Sequence, residues 1–297
     1  MFESRNKQLA PTFALRAGPR LSLPSFSVLT LAEQMHESLR LNIASVADQP
    51  RVHVEHIVKP AGRSETNHGW LAQDKRVIFY QGPDDGLYDA LNLTAEAARG
   101  EILGCITERQ QYLPGALRDV GTLFAMYPHV KVVVAGMLIV GPDGATISRR
   151  SPVSSSGARS WIQCIRELPC ATFMRRSAFT ALSPLFDSVH HLVREPAWIL
   201  NSLLDPHSVG LLRGYAAVHV EDGTRVSNEF AIERDQQLLA RHADQLRKPM
   251  KAALRTHRRL LKLLHHLHRR RPIEYAIYTP ESQARRVLFK VERMMIC

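Results

Sequence analysis

Apolar positions along this chain switch between two periods. Residues 26–30, Phe-Ser-Val-Leu-Thr, read as a short strand. From Glu33 to Val46, Leu39, Ile43 and Val46 recur at helical spacing. Residues 52–58, Val-His-Val-Glu-His-Ile-Val, alternate and then run apolar, which predicts a second strand, and residues 76–80 predict a third. Leu87 to Arg99 has a helical pattern and stops at Gly100, a residue suited to a helix C-cap. Residues 101–106 read as a fourth strand. Pro114 to Tyr127 is a helix with Leu117, Val120, Leu123 and Phe124 on one face. Residues 130–140 are strand-rich, and Pro142-Asp143-Gly144 signals a hairpin turn. Cys170 to Met174 is another short strand, and residues 196–204 and 228–246 have helical patterns. This alternation predicts an α/β fold with a mostly parallel, doubly wound sheet. Three regions are expected: a polar arm over 1–23, the α/β domain over 24–230, and a basic helical C-terminal extension over 231–297. Residues 149–160, RRSPVSSSGARS, read as a basic Ser/Gly-rich loop.

Composition narrows the class. The 297 residues are 45% hydrophobic and 7% aromatic, enough for an ordinary packed core. No apolar run reaches the ~18–20 residues of a membrane span. The start, MFESRNKQLAPTF, has no apolar core of signal-peptide length, so a cytoplasmic location is expected. Cys105, Cys164, Cys170 and Cys297 lack zinc-site spacing and suggest no disulfide framework. The net charge of +11 is concentrated: residues 247–271 hold ten Lys/Arg and no acid, leaving about +1 elsewhere. The high pI therefore describes one segment, and nucleic acid is not an expected partner. Over residues 246–267, Leu246, Met250, Leu254, Leu261, Leu264 and Leu267 form an apolar stripe among basic residues. Such a helix packs its stripe on the domain, lies on an anionic membrane surface, at the inner face of the membrane for a cytoplasmic chain, or, least expected, binds nucleic-acid phosphates or an acidic partner. His257, His265, His266 and His268 have no carboxylate or cysteine with them and do not read as a metal site.

Candidate chemistry sits at two places. Asp84 and Asp85, beside Gly86, precede the predicted helix at 87, where carboxylates accept hydrogen bonds from base or ribose donors or simply cap the helix. Asp89 and Asn92 are three apart and share a helix face. The second place is Thr107-Glu108-Arg109-Gln110, at the carboxyl end of the fourth strand, where open α/β sheets bind ligands.

Residues 82–92, GPDDGLYDALN, resemble the E-P-D-x-G-x-Y-D-A-x-N segment of the family-2 glycosyltransferases. Residues 101–104 (EILG) and 112–117 (YLPGAL) match a second family segment across a gap of the right length. Residues 171–177, ATFMRRS, are similar to the A-T-F-F-R-R-S strand and turn of the acceptor half, and Phe186-Asp187 matches the F-D that follows. The resemblance covers about residues 24–230. It implies a GT-A-like, Rossmann-like fold and transfer of a sugar from a nucleotide-sugar donor, UDP- or GDP-linked, to a hydroxyl of a glycan or lipid-linked acceptor, as in polysaccharide biosynthesis. It implies donor contacts at Thr30, Asp84, Asp85, Gly86, Asp89, Asn92, Glu108, Arg175 and Arg176.

The chain departs from that pattern where the chemistry lies. The family's G-W-x-x-x-D-D, which holds a divalent metal such as Mg²⁺ or Mn²⁺, places its carboxylates where this chain has Arg109 and Gln110. Glu108 lies one residue earlier and is the candidate for a displaced metal ligand, although a single carboxylate beside an arginine makes a poor cation site. In the loop after the second strand the family's V-D-G-G-S-x-D-G-T becomes residues 58–66, VKPAGRSET, with Pro60 at the base-contacting Asp position. The opening T-P-T-Y-N becomes residues 30–34, TLAEQ. Glu195 falls on the first acid of the D-Y-D region, which implies a general base, although an acid there also suits a helix N-terminus. Two expectations follow. Either Arg109, with Arg175 or Arg176, replaces the metal and clamps the diphosphate, or the chain is a catalytically silent GT-A-like binding or scaffold protein.

Overall fold

A computed structural model describes residues 12–13, 22–32, 37–60, 69–84, 87–152, 169–180, 208–221 and 272–291. The elements in chain order are β1 (Thr12–Phe13), β2 (Phe26–Ala32), α1 (Glu37–Ala47), β3 (Val54–Pro60), α2 (Gly69–Gln73), β4 (Ile78–Phe79), α3 (Leu87–Ala97), β5 (Ile102–Thr107), β6 (Gln110–Tyr112), α4 (Ala116–Met126), β7 (Val132–Val140), β8 (Thr146–Arg150), β9 (Thr172–Arg175), α5 (Arg176–Thr180), β10 (Val209–Val220), β11 (Ile273–Thr279) and β12 (Ser282–Val291). The chain divides into two compact units, Met1–Val220 with Tyr275–Phe289, and Glu221–Glu274 with Lys290–Cys297. In the second unit Lys290 pairs with Glu274 at 2.8 Å.

The first unit is built on a sheet in the order β1-β10-β7-β9-β5-β2-β3-β4, with β6 added to β10 and β8 to β7. Strands β5, β2, β3 and β4 run parallel. β9 is antiparallel to both β5 and β7, so β7 points with β5, and β10 runs parallel to β7. The carboxyl ends of β2, β3, β4, β5, β7 and β10 therefore share one edge. β2 and β7 are buried along their whole lengths, as expected of strands covered on both faces. One core joins Phe26, Val28 and Phe173 of the sheet to Leu117, Val120 and Phe124 of α4. Another packs Leu39 and Ile43 of α1 on Ala32, Val58 and Leu71. The expected mostly parallel α/β sheet is thus present.

Several boundaries differ from expectation. Helix α4 begins at Ala116 rather than at Pro114, because Gly115 takes a left-handed φ of 75° at its N-cap, a conformation glycine adopts without strain. The third strand shrinks to the two residues of β4. The polar arm contributes β1, whose backbone pairs with Leu211 and Leu212 of β10. β10 itself, twelve residues long, had no predicted counterpart. The largest correction is at the C-terminus, where residues 273–291 form an antiparallel hairpin, not a helix. Ile273, Tyr275, Ile277 and Thr279 alternate with a strand's period, Pro280-Glu281 turns the chain, and Tyr275 stacks on Phe289 at 5.4 Å. Tyr278 ties the hairpin to β6 through two bonds between its main chain and the Gln111 amide, both 2.9 Å. Arg286 adds bonds to Asp48, to Ser45 O and to Tyr112 O. The predicted helices at 196–204 and 228–246 and the basic segment 247–271 lie outside the described residues.

Candidate functional site

The carboxyl edge of the sheet places the two predicted chemical segments near each other. Lys59 of β3, Leu31 of β2 and Thr107 of β5 lie in one register row. Two strand spacings separate Lys59 from Thr107, about 10 Å. After Thr107 the chain turns through Glu108 and Arg109 into β6. The Gln110 side chain closes this turn, its Oε1 accepting from Thr107 N at 2.8 Å. Asn42 of α1 reaches it from the other side. Both amide hydrogens of Asn42 go to main-chain carbonyls, Thr107 O at 2.9 Å and Gln110 O at 2.8 Å. Val220 N, at the end of β10, donates to Arg109 O at 2.9 Å. Glu108 is buried and Arg109 half-buried. His219 stands opposite Gln110 in the β10–β6 ladder, its Nδ1 3.5 Å from Gln110 Nε2.

Behind the turn lies a buried polar chain. Thr30 Oγ1 is 3.3 Å from Asn42 Oδ1 and 2.7 Å from His56 Nε2. One proton arrangement satisfies all three groups: His56 Nε2–H donates to Thr30, and Thr30 O–H donates to Asn42. His56 is then neutral, with its bare Nδ1 lone pair facing the core. Burial depresses its pKa from 6.5 to about 3, with Asp74 opposing and Arg76 reinforcing the shift. Thr30, expected at the donor, is fully buried in this chain of bonds and does not reach the edge.

Asp84 lies at the edge but is paired inward. Its Oδ2 is 2.9 Å from Lys59 Nζ, and the two side chains are 0% and 1% exposed. Lys59 also donates to Gly82 O at 2.7 Å. The carboxylate expected to meet a base is thus held by a lysine from the neighbouring strand. Asp89 and Asn92 share a face of α3, half-buried and buried. Asp85, Gly86 and Glu195 lie outside the described residues.

Arg175 and Arg176 are not brought to this edge. β9 runs antiparallel to β5, and Arg175 pairs with Ile102 at the amino end of β5. Five residues at about 3.3 Å each put it roughly 17 Å from Thr107. Its Nε donates to Val130 O and its Nη2 to Phe124 O, both at 2.8 Å. Arg176 Nε donates to Gly100 O at 3.0 Å. The expected joint clamp of these arginines with Arg109 is therefore corrected: strand direction puts them at opposite ends of β5.

Glu108 is the one carboxylate of the turn at the carboxyl end of β5. No three His, Cys, Asp or Glu side chains gather among the described residues, and Glu108 adjoins Arg109, whose charge opposes a metal. Burial pushes the Cys105 and Cys170 thiols up to about 12, so neither is a thiolate nucleophile at neutral pH. Among the described residues no helix is long and apolar enough to cross a membrane. Asn42, His56, Lys59 and His219 were not singled out from sequence. One signal existed: Asn42 interrupts the apolar positions of its own helix, between Leu39 and Ile43.

No family model and no curated protein sequence matches this chain. Solved structures of Staphylococcus aureus TarS do. TarS 1–349 aligns with a TM-score of 0.51 and 13% identity over 66% of this chain and 60% of that one. Its complex with UDP gives 0.51 and 14% identity over 66% and 60%. Its complex with UDP-GlcNAc gives 0.53 and 14% over 68% and 60%. The chain spans about 60% of the length of these structures. At this identity the likeness shows the fold, which is the GT-A-like, Rossmann-type arrangement implied by the sequence.

Proposed function

We propose that this chain is a glycosyltransferase that moves a sugar from a nucleotide-sugar donor to a hydroxyl of a glycan or lipid-linked acceptor. The observation that carries the reading is the turn at Glu108 and Arg109, fixed through its main chain at the carboxyl edge of a GT-A-like sheet. The UDP and UDP-GlcNAc bound to TarS favour a uridine-linked donor. In the reaction the acceptor oxygen attacks the anomeric carbon. The bond from that carbon to the diphosphate oxygen breaks, and its electron pair leaves with the nucleoside diphosphate. Arg109 takes the part of the missing acids and their metal: its guanidinium matches phosphate geometry and stabilises the leaving charge. Glu195 takes the acceptor proton. The transfer is metal-independent on this reading.

One observation favours a second reading. Lys59 closes Asp84 into a solvent-free ion pair, which suits a binding or scaffold protein that has lost donor recognition. A thermal-shift series with UDP-GlcNAc and a GDP-sugar, each with Mn²⁺ or EDTA, separates the two. The transferase reading expects stabilisation by a donor, unchanged in EDTA and lost in Arg109→Ala. No shift at millimolar donor leaves the scaffold reading standing. A shift that needs Mn²⁺ and disappears in Glu108→Ala overturns metal independence.

A further inference from the structure

Asn42 is a neutral, fully buried side chain of α1, far in sequence from the turn it holds. It donates both amide hydrogens to carbonyls flanking Glu108-Arg109, at 2.9 and 2.8 Å. Its own orientation is set from behind, because Thr30 Oγ1 addresses Oδ1 at 3.3 Å and is itself fixed by His56 at 2.7 Å. A flipped amide would put its oxygen against two carbonyl oxygens and its N–H₂ against the Thr30 hydroxyl hydrogen. The amide therefore has one favourable orientation, and that orientation defines the path of the chain at residues 107–110. Gln110 Oε1 closes the turn from within, and Val220 N donates to Arg109 O.

We infer that Asn42 is a positioning residue of the donor site: it holds the main chain of the Thr107–Gln110 turn so that Arg109 meets the donor diphosphate. The inference rests on the donor-site reading above. It deepens that reading by naming the group on which the arginine's placement depends. Asn42 touches no substrate and acts only through the turn, so its loss removes what Arg109 contributes without removing Arg109.

A double-mutant cycle in the full chain tests this, with UDP-GlcNAc as the probe and its Kd measured by titration calorimetry below the melting temperature of each variant. In the wild-type background Arg109→Ala is expected to weaken binding about 10- to 100-fold, the range for hydrogen bonds to charged groups. In Asn42→Leu, which keeps the volume and removes both donors, Arg109→Ala is expected to cost less than about threefold. Asn42→Leu alone is expected to approach the weakening of Arg109→Ala. A residue that served only global stability would lower the melting temperature and leave the Arg109 penalty intact. If Asn42→Leu does not fold, Asn42→Ser retains one short donor and is expected to give an intermediate penalty. An additive cycle, including one in which Arg109→Ala costs nothing, overturns the role of Asn42 while leaving UDP-GlcNAc binding in place. Failure of the wild type to bind any UDP-sugar removes the donor-site reading itself, and this inference with it.

Discussion

The two ends of β5 are tied down in opposite ways. At the amino end two charged side chains do the tying. Arg175 bonds to the carbonyls of Val130 and Phe124 and lies 5.0 Å from the Phe124 ring centroid, and Arg176 bonds to Gly100 O. At the carboxyl end a neutral amide, Asn42, performs the same task for Thr107 and Gln110, backed by Thr30 and His56. All three arginines looked alike from sequence as phosphate ligands. What separates them is strand direction. Arg175 arrives where carbonyls at the end of a helix and the start of strands need donors, and it satisfies them. Arg109 sits on a turn whose carbonyls already have donors from Asn42 and Val220.

The largest effect expected of a single substitution tests the buried ion pair at the carboxyl edge. Lys59→Met breaks this buried pair by removing one partner, which should cost about 3–5 kcal/mol in urea unfolding. Lys59→Met with Asp84→Asn removes both charges and should recover most of that loss. A cost under about 1 kcal/mol for the single variant would mean that the pair opens to water. The next effect tests the amino end. Arg175→Ala leaves two carbonyls without their charged donors and should lower stability by about 2–4 kcal/mol. UDP-GlcNAc affinity should stay within about twofold, since Arg175 is roughly 17 Å from the turn. A tenfold loss of affinity in a folded Arg175→Ala variant would break the comparison between the two ends.

Much of the frame was legible. Periodicity placed β2, β3, β5, α3 and α4 within a few residues, because each has its apolar face against the sheet core. The site was legible only as segments. Sequence put Arg109 at a strand end, but it could not show that β9 runs antiparallel to β5, which decided the fate of Arg175 and Arg176. Asp84 was visible as a carboxylate before a helix; its partner Lys59 is 25 residues away and was hidden in a loop read as degenerate. The hairpin at 273–291 had a period-two pattern in plain view, and the ten cations before it drew the reading toward helix. Thr30 was read by analogy with a loop, whereas its place in β2 between α1 and β3 makes it part of the core.

Below these in size is a pH effect confined to the carboxyl end. His56 has a folded pKa of about 3 against 6.5 in the ordinary state. Between those values the unfolded chain binds the proton and the folded chain does not, so stability rises with pH. Its contribution is fully present above about pH 7 and declines as pH falls below 6.5. At pH 5 the loss amounts to about 2 kcal/mol. His56→Gln, which keeps a donor toward Thr30 and cannot titrate, should remove about that much of the difference between unfolding free energies at pH 7.5 and pH 5. An unchanged difference would show that His56 is charged or exposed in the folded state.

The smallest stability effect should come from the residue given the largest functional one. Arg109→Ala leaves every main-chain bond of the turn in place: Asn42 to Thr107 O and Gln110 O, Gln110 Oε1 to Thr107 N, and Val220 N to Arg109 O. The path of the turn should therefore survive, and urea unfolding should move less than in Arg175→Ala, whose side chain carries two main-chain carbonyls. Set beside Arg175→Ala, this gives the sharpest form of the comparison. One arginine should change stability and not donor affinity, and the other should change donor affinity more than stability. If Arg109→Ala costs as much in unfolding as Arg175→Ala, its side chain is a tie like the others. The turn at the carboxyl end of β5 would then hold no phosphate ligand at Arg109.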